Sequence, residues 1–256
     1  MNRRDFVASA IAAASLGAAP IQARAEPAMI PEGQPVRIAM LLYPGMTALD
    51  VAGPQAILAG LAPGSLHLVA REAGPVASDT GLSLVATATF ATCPGDLDVL
   101  FVPGGDGTPE QMRDAATLAF LRDRAARAAW VTSACTGSLI LGAAGLLAGY
   151  RATSHWCVRE AVLPLLGSVP VDARVVFDRN RVTAAGISAG LDFALSLAAR
   201  LRGDDYARTG QLVAEYAPHP PFDAGTPGAA GTAVTHAAEA ILAPLVAGAI
   251  GAARTR

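Results

Sequence analysis

Val99-Leu100-Phe101-Val102 is the stretch that most narrows the folds open to this chain. Its side chains are apolar without alternation, so a strand here must be buried on both faces. That is the signature of a parallel sheet covered by helices on each side. The run passes directly into Pro103-Gly104-Gly105-Asp106-Gly107, a turn-forming loop.

The rest of the chain fits the same plan. Val36 to Leu42 is another apolar β run, closed by the turn Tyr43-Pro44-Gly45. Ser65–Arg71 reads as a strand and Leu82–Phe90 as a strand or hairpin segment. Arg174–Phe177 and Arg181–Ala184 flank an Asp178-Arg179-Asn180 turn. Helices are predicted after Thr47 as a cap, over Pro109–Ala129, over Ser138–Leu147, over Ser188–Leu201, and in a further segment ending near Tyr216. In the Pro109–Ala129 helix, Leu118 and Leu121 face inward and Arg122, Arg124 and Arg127 outward. Residues 217–230 form a Pro/Gly-rich arm, and Thr232–Ala253 reads as an Ala-rich helix. Strands alternating with helices predict a doubly wound α/β fold, with its site at the carboxyl ends of the strands.

At one of those ends lies the chemistry. Ala129 to Val131 leads into Thr132-Ser133-Ala134, then Cys135, Thr136, Gly137 and a helical run. Strand, sharp turn and helix with a reactive atom at the turn is the pattern of a nucleophile elbow. A thiol beside a helix N-terminus is expected to favour thiolate. If the strands preceding Asp50, Gly104-Gly105 and Cys135 are parallel neighbours, all three sites open on one edge of the sheet.

Composition removes other classes. The chain has 19 basic residues, all Arg, so a Walker P-loop and a Schiff-base enzyme are excluded for want of an amine. A net charge of −2 gives no basic surface for nucleic acid. Three cysteines without a C-x-x-C pair suggest no metal site. The odd number leaves at least one thiol unpaired, and a Cys93–Cys157 disulfide is one option in an oxidising compartment. Asn2-Arg3-Arg4-Asp5-Phe6, the apolar stretch 7–19 and Ala23-Arg24-Ala25 have the three parts of a twin-arginine signal over residues 1–25. The expectation is a protein exported to the periplasm or beyond, with no stable membrane anchor.

Longer motifs add a resemblance. They are residues 41–54 (LLYPGMTALDVAGP), 101–105 (FVPGG), 133–137 (SACTG), 149–156 (GYRATSHW), 189–195 (AGLDFAL) and 215–225 (EYAPHPPFDAG). Together they resemble the ThiJ/PfpI superfamily, of class I glutamine amidotransferase-like (flavodoxin-like) fold, and within it the isonitrile hydratase group. The resemblance covers residues 36–228 as one domain and leaves 229–256 as an Ala-rich tail or helix.

It implies Cys135 as nucleophile, with Asp50 close to the sulfur. It also implies that the amides of Gly104 and Gly105 form an anion hole. Thr136 stands where the protease-like branch has a histidine, which argues against peptidase activity and assigns Thr136 to hydrogen-bonding substrate or water. His155 lies where some members place a histidine partner, and Trp156 and Tyr43 are plausible pocket walls. The implied reaction is cofactor-free hydration of an isonitrile to a formamide, in a homodimer without a DNA-binding domain. Two other functions use the same residues. One is glyoxalase- or deglycase-like action on reactive aldehydes. The other is a non-catalytic redox-sensing or ligand-binding domain in which Cys135 is oxidised beside Asp50.

Overall fold

A computed structural model of the chain describes residues 24–255. Most of the expected signal segment lies outside them. Seven strands form the main sheet in the order β10-β11-β7-β6-β1-β2-β5. They are β1 (Val36–Leu41), β2 (Gly64–Ala70), β5 (Ala88–Thr89), β6 (Val99–Val102), β7 (Trp130–Ser133), β10 (Val175–Asp178) and β11 (Arg181–Ala184). Every neighbouring pair is parallel except β10–β11, whose hairpin turn holds Arg179 at a φ of 54°. The Leu82–Phe90 segment divides between β5 and β4 (Ser83–Ala86), which pairs antiparallel with β3 (Gly74–Ala77) outside the main sheet. A short parallel pair joins β8 (Arg151–Ala152) to β9 (Val169–Pro170).

Burial follows the sequence pattern. All four residues of β6 and all four of β7 are buried. Helix α1 (Ala48–Leu58) packs against α6 (Ala189–Arg202), and α4 (Gly137–Ala143) follows β7 with every residue buried. α7 (Asp204–Val213) continues from α6.

Three local expectations are corrected. The single helix over Pro109–Ala129 is two helices, α2 (Thr108–Gln111) and α3 (Ala115–Ala125). The break comes at Asp114, whose carboxylate accepts the Thr117 amide at 2.7 Å, a side-chain cap that starts a new helix. Arg124 does not face outward: its guanidinium is tucked against the carbonyls of Phe90 and Cys93 at 3.1 and 3.0 Å. Thr47 holds the N-cap position of α1 but caps nothing, because its hydroxyl is bound to Asp79.

The C-terminal region contains α8 (Pro227–Ala230) and α9 (Thr232–Arg254). α9 is 23 residues long with a mean hydropathy of 1.6 over its most apolar window, of which only 6% is buried. By length and composition it could cross a membrane, the one such helix among the described residues. Its last turns are docked on the domain: Ala249, Ala252 and Ala253 are buried, and Arg113 donates to the Gly248 carbonyl at 3.2 Å. The expectation of no membrane anchor thus meets a helix with an anchor's dimensions, held to the domain at its C-terminal end.

Candidate active site

Strands β1, β6 and β7 lie side by side and parallel, with Met40 opposite Phe101 and Val102 opposite Ser133. The segments that leave their carboxyl ends therefore converge. Asp50 comes from the first turn of α1, Gly104 and Gly105 from the loop after β6, and Cys135 from the turn after β7.

Cys135 adopts a φ of 54°, one of three non-glycine residues on the left-handed side among those described. This is the strained backbone of an elbow. The bend is held from behind, where the Cys135 amide donates to the Ala185 carbonyl at 2.6 Å and its carbonyl accepts the Ser154 hydroxyl at 3.1 Å. The elbow also needs glycine in front. A Cβ on Gly104 would lie 2.4 Å from the Thr136 nitrogen and 2.9 Å from the Cys135 Cβ. Gly105 has a φ of 138°, and its Cβ would meet the Gly45 carbonyl at 2.4 Å.

The resemblance assigns the amides of Gly104 and Gly105 to an anion hole; in the structure both are already engaged. The Gly104 amide donates to Asp50 Oδ2 at 2.8 Å, and the Gly105 amide to Thr136 Oγ1 at 3.0 Å. Both amides thus hold the side chains of Asp50 and Thr136 in place.

Asp50 is fully buried, and its Oδ1 has no conventional hydrogen-bond partner. Burial pushes its pKa up to about 7, against the opposing pull of the Gly104 amide and of the Cys135 thiol, which is close enough to act as a weak donor. Burial also drives the Cys135 thiol well above its ordinary value, and the nearby Asp50 charge raises it further. The Thr136 amide and hydroxyl pull the other way. The expected preference for thiolate at the start of α4 is therefore outweighed by desolvation. Burial thus favours the protonated form of both groups, against the hydrogen bonds that pull each of them down.

The hydrogen bonds of His155 run to Cys157. His155 is the N-cap of α5 (Trp156–Val162), its Nδ1 accepting the Cys157 amide at 3.5 Å and lying 3.0 Å from the Cys157 sulfur. Burial lowers its pKa, which favours the neutral ring. Asn caps a helix as well as His does here, so His155→Asn is expected to change Cys135 alkylation by iodoacetamide less than about tenfold. Cys93, Cys135 and Cys157 are all free thiols, without the disulfide considered from the sequence.

Trp156 is half-buried and, with Cys157, lines a cleft of about 490 Å³ against α9. Tyr43 borders a second cleft of about 480 Å³ over the end of β2, but its ring is buried and its hydroxyl turns inward to the Pro103 carbonyl at 2.9 Å. It is thus less a wall than part of the frame. Neither cleft includes Cys135. Thr108, 2.7 Å from the Thr136 hydroxyl, is a site residue that no sequence motif signalled. Among the described residues no cluster of three or more His, Cys, Asp or Glu could hold a metal ion.

A strained cysteine at an α/β elbow beside a buried acid defines a class of cysteine-centred site, and comparison with known proteins gives it a family. The chain belongs to the DJ-1/PfpI family, whose model matches residues 36–200. It is 52% identical over 209 residues to the isonitrile hydratase of Pseudomonas putida, covering 82% of this chain and 91% of that protein. Deglycase PH1704 of Pyrococcus horikoshii is 31% identical over 121 residues, 46% of this chain and 72% of the relative. Among solved structures, a ThiJ/PfpI family protein from Pseudomonas syringae superposes with a TM-score of 0.84 at 52% identity, covering 86% of this chain and 91% of that one.

Proposed function

We propose that the protein hydrates an isonitrile to an N-substituted formamide, with Cys135 as the nucleophile. The observation that carries this reading is the pairing of a buried thiol with a carboxyl whose pKa is about 7. The similarity to an isonitrile hydratase over nearly its whole length supports the substrate class.

An isonitrile carbon is a poor electrophile until it gains a proton, and the addition places nucleophile and proton on the same atom. Asp50 takes the Cys135 proton and returns it to the isonitrile carbon as sulfur attacks, giving a thioimidate bound to the enzyme. The carboxylate left on Asp50 then removes a proton from water, whose oxygen adds to the same carbon. Asp50 gives that proton to nitrogen, the C–S bond breaks, and the hydroxyl proton of the adduct passes through Asp50 to the departing sulfur, which releases the formamide and restores the thiol. A carboxyl with a pKa near neutrality suits both the acid and the base step. Thr136 donates a hydrogen bond to the sulfur as it gains charge.

Two further expectations belong to this reading. Membership of the DJ-1/PfpI family supports assembly as a homodimer. The twin-arginine pattern supports export. Purified protein mixed with cyclohexyl isocyanide is expected to yield cyclohexylformamide by NMR and a transient Cys135 adduct in mass spectra. Cys135→Ala should show neither. Formamide production undiminished in Cys135→Ala would overturn the mechanism, and an inactive wild type the function.

A further inference from the structure

Behind Thr136 runs a line of three buried hydroxyls. Thr136 Oγ1 lies 2.7 Å from Thr108 Oγ1, which lies 3.3 Å from the Tyr43 hydroxyl. Tyr43 donates its proton to the Pro103 carbonyl at 2.9 Å. Thr108 and Thr136 have no exposed surface and Tyr43 only 3%, so the line is closed to solvent.

Each hydroxyl has one proton and two acceptor positions, which allows the direction of the line to be worked out. Tyr43 has committed its proton to Pro103, so toward Thr108 it can only accept. Thr108 thus has one proton and two oxygens to give it to, Thr136 at 2.7 Å and Tyr43 at 3.3 Å. The Thr136 hydroxyl also bonds the Cys135 sulfur, so the proton in the 2.7 Å contact is the one from Thr108. Thr136 Oγ1 then accepts from Thr108 and, at 3.0 Å, from the fixed amide of Gly105. With both acceptor positions filled, its own proton is left for the remaining side. That side is the elbow: a Cβ on Gly104 would touch Thr136 Oγ1 at 2.6 Å and the Cys135 Cβ at 2.9 Å, so the two groups share one small space.

We propose that Thr108 is a positioning residue that aims the Thr136 proton at the Cys135 sulfur. It acts by donating to Thr136, so that the hydroxyl dipole already points at the atom where negative charge develops. Such preorganised dipoles stabilise charge without having to reorient as it forms, and a hydroxyl that is itself accepting a bond is a better donor. No proton changes owner along the line. Tyr43 fixes its far end. The catalytic consequence rests on the proposed hydratase reading, but the effect on sulfur does not.

The test therefore reads the sulfur as well as turnover. The pH dependence of iodoacetamide alkylation at Cys135 is measured for wild type, Thr108→Val, Thr108→Ser, Thr136→Val and the Thr108→Val/Thr136→Val pair. The titratable groups acting on this sulfur are Asp50 and Cys157, with Asp79 acting on Asp50 and Tyr43 nearby, and none is altered in these variants. Thr108→Val is expected to slow alkylation at neutral pH about three- to tenfold, the range of one hydrogen bond, and to move the profile to higher pH. Thr108→Ser should stay near wild type, and the double variant should alkylate no more slowly than Thr136→Val alone. Formamide turnover, where wild type shows it, should follow the same order in kcat with KM little changed. If Thr108→Val does not fold, Thr108→Ala replaces it in the same comparison. Wild-type alkylation in Thr108→Val, a serine variant as slow as valine, or additive losses in the double variant would each overturn the proposal. An inactive wild type with the expected alkylation pattern would sink the hydratase function and leave the positioning role standing.

Discussion

Asp50→Asn is expected to lose isocyanide turnover by about 10²- to 10⁴-fold, the range for removal of a general acid–base, while becoming more stable than wild type above pH 7. The two effects share a cause. Asparagine can still accept the Gly104 amide that Asp50 Oδ2 holds at 2.8 Å, but it neither releases nor takes a proton. The stability gain comes from linkage. Burial raises the Asp50 pKa from 3.8 in the unfolded chain to about 7 in the folded one. Between these values the folded state keeps a proton that the unfolded state has released, so stability falls as pH rises through that window. Above pH 7 the full penalty applies, on the order of 4 kcal/mol for a shift of about three units. Melting curves of the two proteins should nearly coincide at pH 4 and separate by on the order of 10 °C at pH 8, with Asp50→Asn the higher. A gap that stays constant from pH 4 to pH 8 would remove the buried-acid account.

Gly137→Ala is expected to be among the most damaging single-methyl changes in the chain. A Cβ there would lie 2.2 Å from the Val102 carbonyl and 2.6 Å from that of Pro103. Both neighbours are backbone at the end of β6, so no side-chain rotation relieves the clash. Either α4 moves away from β6 or the β6 loop moves, and each displaces Cys135. Overpacking of this kind costs about 3 kcal/mol or more, enough to exceed the gain of up to about 1 kcal/mol that Ala brings over Gly within a helix. The melting temperature should fall by on the order of 10 °C, with loss of Cys135 reactivity. Gly210→Ala in α7 is the matched control, because a Cβ there meets nothing within 4 Å. It should be neutral or slightly stabilising. Similar melting points for the two variants would show that the close approach of α4 to β6 is not what the elbow requires.

Much of the architecture was legible because it depends on local pattern. The unbroken apolar runs at β1, β6 and β7 dictated a buried parallel sheet, since no strand with two apolar faces can lie against solvent. The strand–Cys–Gly–helix order dictated the elbow, since only small neighbours allow a chain to turn so sharply. Parallel order then placed Asp50, Gly104, Gly105 and Cys135 on one edge. Local pattern failed where a polar residue decided between two uses of the same segment. Asp114 divided one expected helix into two, and Arg124 turned inward to carbonyls that no helical wheel could reveal.

Tertiary structure alone decided the chemistry of the site. Whether the Gly104 and Gly105 amides face a substrate or hold side chains depends on where Asp50 and Thr136 arrive, 54 and 31 residues away in sequence. The balance at Cys135 was set in the same way: a helix N-terminus favours thiolate, while burial pushes the thiol upward. Thr108 joined the site with no motif to mark it, because a single hydroxyl gains a role only when folding puts an acceptor beside it. Apolar burial is additive along a chain and can be read from its order. Hydrogen-bond direction and pKa depend on the few groups within several ångströms of one another, and those distances exist only once the chain has folded.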